Sequence, residues 1–135
     1  EKRMDSSSIE LPDSEIESIT LESGRLKVHF SRANILKTMT GSLERTRWWQ
    51  AADLVMEGAE AEGELPRGPL VCAGGDVEEN IYTYRDMIPI PLDSRGHTRC
   101  ELHFRDSDAQ LVVRAETVRI VLEEAPKYID HIRPG

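Results

Sequence analysis

Apolar and polar residues alternate early in the chain in a pattern that predicts a β-hairpin. Residues 19–22 and 26–30 each place apolar side chains at every second position, as expected for strands with one buried face. Between them, Ser23-Gly24 supplies a two-residue turn of the kind that joins hairpin strands. Pairing Leu21 with Leu26 makes one face of the hairpin wholly apolar, so pattern and turn agree.

The same alternation predicts a second hairpin over 98–104 and 111–115. If Phe104 pairs with Leu111, the apolar side chains of both strands again share one face. After this hairpin the apolar positions change from odd to even numbers. One extra residue has entered the strand, which predicts a β-bulge or a sharp bend near 115–117.

Between the hairpins, 81–92 also alternates like a strand, but it contains Pro89 and Pro91. Proline has no N–H group, and amides two residues apart point to the same side of a strand. Both prolines therefore remove donors from one edge, and we predict an edge strand or a closing strand here. We expect residues 93–97 to turn the chain after it.

Two segments are predicted with helical character. Residues 43–56 carry an apolar stripe at helical spacing, so a helix over part of this range and a strand remain alternatives. Residues 126–133 begin with a proline, which suits the first turn of a short helix. Residues 1–15 are rich in serine and charge and are predicted to form a flexible tail, which leaves 16–135 as one β-rich domain.

These elements predict a mainly β fold, an antiparallel sandwich or a partly open small barrel with one or two short helices. Cys72 and Cys100 lie on apolar strand faces without metal-ligand spacing, so we expect two buried thiols and a cytoplasmic protein. No stretch approaches the length of a transmembrane helix, and no membrane partner is expected. We expect these inward-facing side chains to be buried: Leu21, Leu26, Val28, Phe30, Leu102, Phe104, Leu111, Val113, Ile120 and Leu122.

The net charge of the chain limits the classes of partner that it is expected to bind. The 135 residues include 17 basic and 25 acidic side chains, for a net charge of −8. This balance argues against the basic surface that nucleic-acid binding needs. The charge is uneven, because residues 25–47 sum to +5 and residues 53–79 sum to −7. An acidic face of this kind accelerates association with a basic partner.

We therefore predict that block 53–79 forms one continuous exposed face that binds a partner. Glutamates at three alternate positions would project the same way from a strand. Trp48 is added because a tryptophan beside two arginines makes a favourable contact residue. The predicted partner-binding residues are Glu57, Glu60, Glu62, Glu64, Asp76, Glu78, Glu79 and Trp48.

No catalytic residue, metal ligand or cofactor is predicted. Residues 93–97 contain Asp, Ser and His, but groups so close along a turn rarely converge as a catalytic triad requires. Residues 73–76 lack a phosphate-binding glycine motif and are typical of a turn. The four histidines are dispersed. His29 and His103 fall on outward strand faces, and whether the two meet across a sheet depends on the strand order.

Residues 82–92, together with Gly96 and residues 101–104, resemble the central part of a small uncharacterised bacterial family. The resemblance implies a β-rich bacterial protein and assigns no activity or site. In composition the chain is also similar to acidic immunity proteins that neutralise bacterial toxins.

The leading functional expectation is a non-enzymatic protein–protein interaction with a basic macromolecule, and toxin neutralisation is its most concrete form. The alternative is a small β-barrel that binds or processes a small molecule in its interior. A cavity lined by polar side chains would favour the second function, and a solid core the first. A homo-oligomer is compatible with either.

Overall fold

The protein is described by a computed structural model over residues 6–38 and 44–132. These residues form nine strands, and every pairing between them is antiparallel. The strands are Ser6–Glu22 (β1), Arg25–Thr38 (β2), Arg45–Glu57 (β3), Glu60–Ala61 (β4), Leu70–Glu79 (β5), Tyr82–Arg85 (β6), Met87–Ile90 (β7), Asp93–Phe104 (β8) and Gln110–Ile132 (β9). The predicted mainly β, antiparallel class is confirmed.

One sheet contains all of the strands, in the order β6-β5-β8-β9-β3-β2-β1-β7, with β4 paired to β9. A further pairing joins β1 to β5 at Glu15–Val71 and Ile16–Leu70. The sheet is therefore partly ring-like, although it is not a barrel. Because β3 and β9 are neighbours near the middle of this order, residues far apart in sequence meet on its outer surface.

The first predicted hairpin is confirmed in both its turn and its register. The backbone of β1 and β2 pairs Leu21 with Leu26, with Ser23 and Gly24 between the strands at positive φ. In the second hairpin, Leu102 and not Phe104 lies opposite Leu111, so the predicted register is wrong by two residues. Phe104 pairs instead with Cys72 of β5. A shift of two keeps the same side chains on the inner face.

The bulge or bend predicted near 115–117 is present as a register shift in the pairing of β8 with β9. The register shifts between Arg95 and Thr98, which pair with Thr117 and Ala115. The extra residue is thus in β8 and not in β9. Residues 93–97, predicted as a turn, are instead the first part of β8, where pairing with β9 extends the strand.

The proline-containing segment occupies both edges of the sheet. It divides at Asp86 (φ 59°) into β6, which pairs with β5, and β7, which pairs with β1. The Asp86 backbone accepts a hydrogen bond from Leu11 and donates one to Gly75, and its carboxylate accepts the Gly75 N–H at 3.0 Å. Asp86 therefore links the two edges where the ring is incomplete.

Neither predicted helix is present in the described residues. The 43–56 range falls within β3 from Arg45 onward, and the 126–133 range falls within β9 up to Ile132. Side chains 50–56 of β3 are buried on both faces, which removes the alternation that marks a strand. Residues 39–43 and 133 lie outside the described part of the chain.

The amino-terminal segment also differs from its prediction. Residues 6–15 belong to β1, and Ile9 and Leu11 are fully buried. Serines 6–8 pair with the end of β2. Residues 1–5 of the predicted tail lie outside the part of the chain that the structure describes.

A single apolar core fills the inside of the sheet. Most of the predicted core residues are buried, and Ile120 packs against them. Leu21 and Leu122 are exceptions, at 37% and 40% exposed. Leu21 lies beside the hairpin turn, and Leu122 lies beyond Arg119, the last β9 residue that pairs with β8. Each therefore has a paired strand on one side only.

Residues 73–76, predicted as a turn, run through the middle of β5. Gly75 has a φ of 159° and lies so close to β8 that a Cβ atom would stand 2.1 Å from the carbonyl oxygen of Glu101. Glycine is needed here for close approach of two strands and not for a turn.

Candidate functional site

The structure divides the predicted partner-binding residues between two parts of the surface. β3 and β5 are separated by β9 and β8, so two strands lie between Glu57 and the β5 carboxylates. Most of these acids are also paired. Glu57 contacts Arg25 and Arg119, Asp76 contacts Arg85, and Glu78 contacts Arg99. Glu79 accepts a hydrogen bond of 2.9 Å from the Tyr84 hydroxyl.

The glutamates between β4 and β5 differ from these. Glu60, Glu62 and Glu64 are exposed, and within the described residues none forms a side-chain hydrogen bond or ion pair. Glu62 donates its backbone N–H to Val112, so this segment runs beside the start of β9. The β8–β9 loop, with exposed Asp106 and Asp108, ends there. We call these five carboxylates the acidic end: Glu60, Glu62, Glu64, Asp106 and Asp108.

Trp48 does not belong to the acidic end. It lies nine residues before Glu57 on the same strand, which corresponds to about 30 Å. Its ring is half-buried, in an edge-to-face contact with Tyr128 at 5.3 Å, with Lys37 Nζ 4.6 Å from the ring centroid. Its Nε1 donates to Thr46 Oγ1 at 2.8 Å. These contacts are typical of packing at the sheet surface.

A second group of polar side chains converges on the outer face of three adjacent strands, β2, β3 and β9. His29 of β2 pairs in register with Asp53 of β3. Glu123 of β9 pairs with Ala51, two residues from Asp53, which makes it a diagonal neighbour within reach of Asp53. Their potential ligand atoms lie within 4.8 Å of one another. We call His29, Asp53 and Glu123 the three-strand cluster.

The imidazole of His29 has carboxylates on both sides. Nδ1 is 2.6 Å from Asp53 Oδ1 and 3.8 Å from Glu123 Oε2, whereas Nε2 is 3.6 Å from Glu17 Oε2. Glu17 is directed to this position by a β-bulge, because Ile16 pairs with Phe30 while Ser18 pairs with His29. Bulges commonly redirect a side chain near functional sites.

Burial sets the electrostatics of the three-strand cluster. The Asp53 side chain is only 8% exposed, although it points to the outer face. A hydrogen bond shared with Asp53 raises the pKa of Glu123, and partial burial raises it further. In the described parts of the chain, no lysine or arginine forms an ion pair with Asp53 or Glu123. His29 and Lys27 offset part of the charge of Glu123, and protons or a bound cation can balance the rest.

The sequence identified His29 as an outward-facing residue but assigned it no role. Asp53 was counted as part of the acidic block, and Glu123 was not selected. His29, Asp53 and Glu123 are spread over 95 positions of the chain, and they meet only because β9 pairs with β3. Strand order was the missing information.

Other titratable groups form separate features. Burial raises the pKa of Cys72 to about 11 and that of Cys100 to about 12, and both thiols are free. This confirms the predicted buried thiols.

On β8, contacts with Arg99 and then His103 lower the pKa of Glu101. His103 Nε2 lies 2.8 Å from Glu101 Oε2, and within residues 6–38 and 44–132 this is the one carboxylate paired with this exposed histidine.

Comparison of the chain with protein-family models, curated proteins and solved structures found no match. Within residues 6–38 and 44–132, no helix is long and apolar enough to cross a membrane. The resemblance to a bacterial family and the cytoplasmic location stay predictions.

Proposed function

We propose that this chain is a non-enzymatic interaction protein that binds a basic macromolecular partner through the acidic end. The observation that carries the proposal is the contrast between the two parts of the acidic block. The carboxylates on β3 and β5 are largely neutralised by arginines or hydrogen-bonded. Those at 60–64 are exposed and unpaired among the described residues, so their field extends into solvent and can steer a positively charged partner.

The packed interior supports binding at the surface over binding inside the sheet. Buried apolar side chains from most of the strands form one cluster. Among the described residues, no buried side-chain nitrogen or oxygen lacks a hydrogen-bond partner. An interior ligand site needs a few convergent polar groups, and this core does not offer them.

The most concrete form of this proposal is neutralisation of a basic bacterial toxin. Acidic immunity proteins are similar to this chain in composition, and unpaired carboxylates would complement a cationic active-site surface. Charge complementarity of this type raises the association rate more than it slows dissociation.

The test is a comparison of variants in a pull-down from the source cell. In the test variant, E60Q/E62Q/E64Q removes three charges from the acidic end. In the matched control, E15Q/D93N/E124Q removes three charges from exposed, dispersed positions. We expect the wild type and the control to capture the same basic protein and the test variant to lose it.

Association and dissociation rates measured with the captured protein then distinguish long-range electrostatic attraction from short-range contacts. The association rate should fall steeply as ionic strength rises from 0.05 to 0.5 M, because the Debye length shrinks below about 10 Å. The test variant should associate more slowly with little change in dissociation. Equal association rates for the two triple variants would refute the acidic end as the binding surface.

A further inference from the structure

The three-strand cluster, which lies apart from the acidic end, has the arrangement of a metal-binding site. We propose that His29 Nδ1 and the carboxylates of Asp53 and Glu123 bind a divalent transition-metal ion of the Zn²⁺ class. In this site Glu17 is a positioning residue that orients the imidazole through Nε2. The proposal does not depend on the proposed partner surface.

The donor set favours this class of ion. One imidazole nitrogen and two carboxylate oxygens are ligands that Zn²⁺ accepts, and three protein ligands with an open fourth position are typical of non-structural zinc sites. Ca²⁺ takes six to eight oxygen ligands and Mg²⁺ prefers an octahedron of oxygens. Three donors, one of them nitrogen, do not meet those requirements.

A second carboxylate, that of Glu17, lies at ion-pair distance from the other ring nitrogen of His29, slightly beyond hydrogen-bond distance. A metal-binding histidine almost always donates its other ring N–H to a carboxylate, a carbonyl or water. Glu17 Oε2 stands 3.6 Å from Nε2, on the opposite side of the ring from Asp53 and Glu123. The bulge at Glu17 supplies this contact, and regular pairing would direct the side chain elsewhere.

Charge and burial agree with a bound cation. The side chain of Asp53 is 8% exposed and its only ion-pair partner in the described residues is His29. Two carboxylates would balance the two charges of the ion. Metal ligands bind without protons, so any proton on a ligand atom leaves to solvent when the ion binds.

The distances require a small adjustment and no refolding. Nδ1 and Asp53 Oδ1 are now 2.6 Å apart, a hydrogen-bond distance. Ligand atoms around a tetrahedral ion are about 3.4 Å apart when the bonds are about 2.0–2.1 Å. The imidazole and Asp53 would separate by less than 1 Å, while the Glu123 carboxylate, which is 40% exposed, would move inward.

Titration calorimetry on the full chain tests the site, with Zn²⁺ as the probe and Mg²⁺ and Ca²⁺ as comparisons. We expect one Zn²⁺ per chain and no binding of the other two ions at the same concentration. H29Q and E123Q should each weaken Zn²⁺ binding at least tenfold. E17Q should weaken it about tenfold, the effect of losing a residue that orients a ligand.

His103 provides the matched control, because in the described part of the chain it pairs with Glu101 and with no second carboxylate. H103Q should bind Zn²⁺ like the wild type. Circular dichroism and thermal melts verify that each variant folds. If H29Q does not fold, E123Q still tests the site, because the Glu123 side chain is partly exposed. Equal Zn²⁺ affinity in H29Q, E123Q and the wild type would overturn the site, as would absence of Zn²⁺ binding.

Nitrogen NMR of the histidine rings identifies the ligand atom. Zn²⁺ should shift the Nδ1 resonance of His29 and leave Nε2 as a protonated nitrogen. A shift of Nε2 would place the ion beside Glu17 and would contradict the proposed geometry.

Discussion

Removing the side chain of Leu102 tests the position of the core more directly than any other change. Leu102 is fully buried, and its Cδ2 would stand only 3.0 Å from a Cβ atom at Gly75. Leu102→Ala removes three carbons, each worth about 0.8 kcal/mol of burial, or about 2.4 kcal/mol. A residual cavity of about 50 Å³ adds about 1.2 kcal/mol at roughly 24 cal/mol per Å³.

The total loss, about 3.5 kcal/mol in the free energy of unfolding, is measurable. A chain of 135 residues has an unfolding entropy near 0.28 kcal/mol per kelvin, so Tm should fall by about 12 °C. Urea denaturation followed by circular dichroism gives the free energy, and calorimetry gives Tm. Unfolding should remain two-state, because the described core is one cluster.

Leu21→Ala is the matched control, since it makes the same chemical change at a side chain that is 37% exposed. Solvent fills the space it leaves, and the expected cost is about 1 kcal/mol. A loss below 1 kcal/mol for Leu102→Ala, or an equal loss for both variants, would refute the placement of β8 over the core.

Four further predictions concern strand contact, pH dependence and thiol access. Gly75→Ala should destabilise by more than about 2 kcal/mol, as measured by urea denaturation, because the added Cβ meets backbone and has no space to move. Glu101→Gln should cost more stability at pH 7 than at pH 3, because a lowered pKa contributes stability that disappears as pH falls through it. Glu123→Gln should have the opposite pH dependence. The raised pKa of Glu123 makes ionisation of its carboxyl unfavourable in the folded state, so the variant should gain free energy of unfolding relative to the wild type as pH rises above about 4.5. Cys72 and Cys100 should react with a thiol reagent only as fast as the protein opens, and rapid labelling of the native protein would contradict their burial.

The sequence predicted local pairing well where one face of a strand is polar. The first hairpin was correct in register because Leu21 and Leu26 alternate with charged or polar neighbours around a specific turn. The segment containing Pro89 was correctly predicted as an edge, since missing N–H groups have a direct geometric meaning. These features depend on residues close together in the chain.

Predictions failed where a strand has no polar face or where the partner is distant. Residues 50–56 are buried on both sides in β3, so helix and strand patterns look alike. Phe104 was assigned to the wrong neighbour because its actual partner lies on β5. The three-strand cluster was missed for the same reason, because no local pattern shows that β9 inserts beside β3.

The position of β9 has a consequence for how the chain folds. Although it is the last described strand, β9 lies between β3 and β8, so the core cannot close until it has been inserted. Most contacts in the fold then join residues distant in sequence, and such high contact order is associated with folding in milliseconds to seconds. During synthesis, β3 would leave the ribosome paired with β2 on one edge and without its other neighbour, β9, on the second edge. A nascent chain stopped before residue 110 should therefore be protease-sensitive and should recruit chaperones, whereas one extended through residue 132 should not.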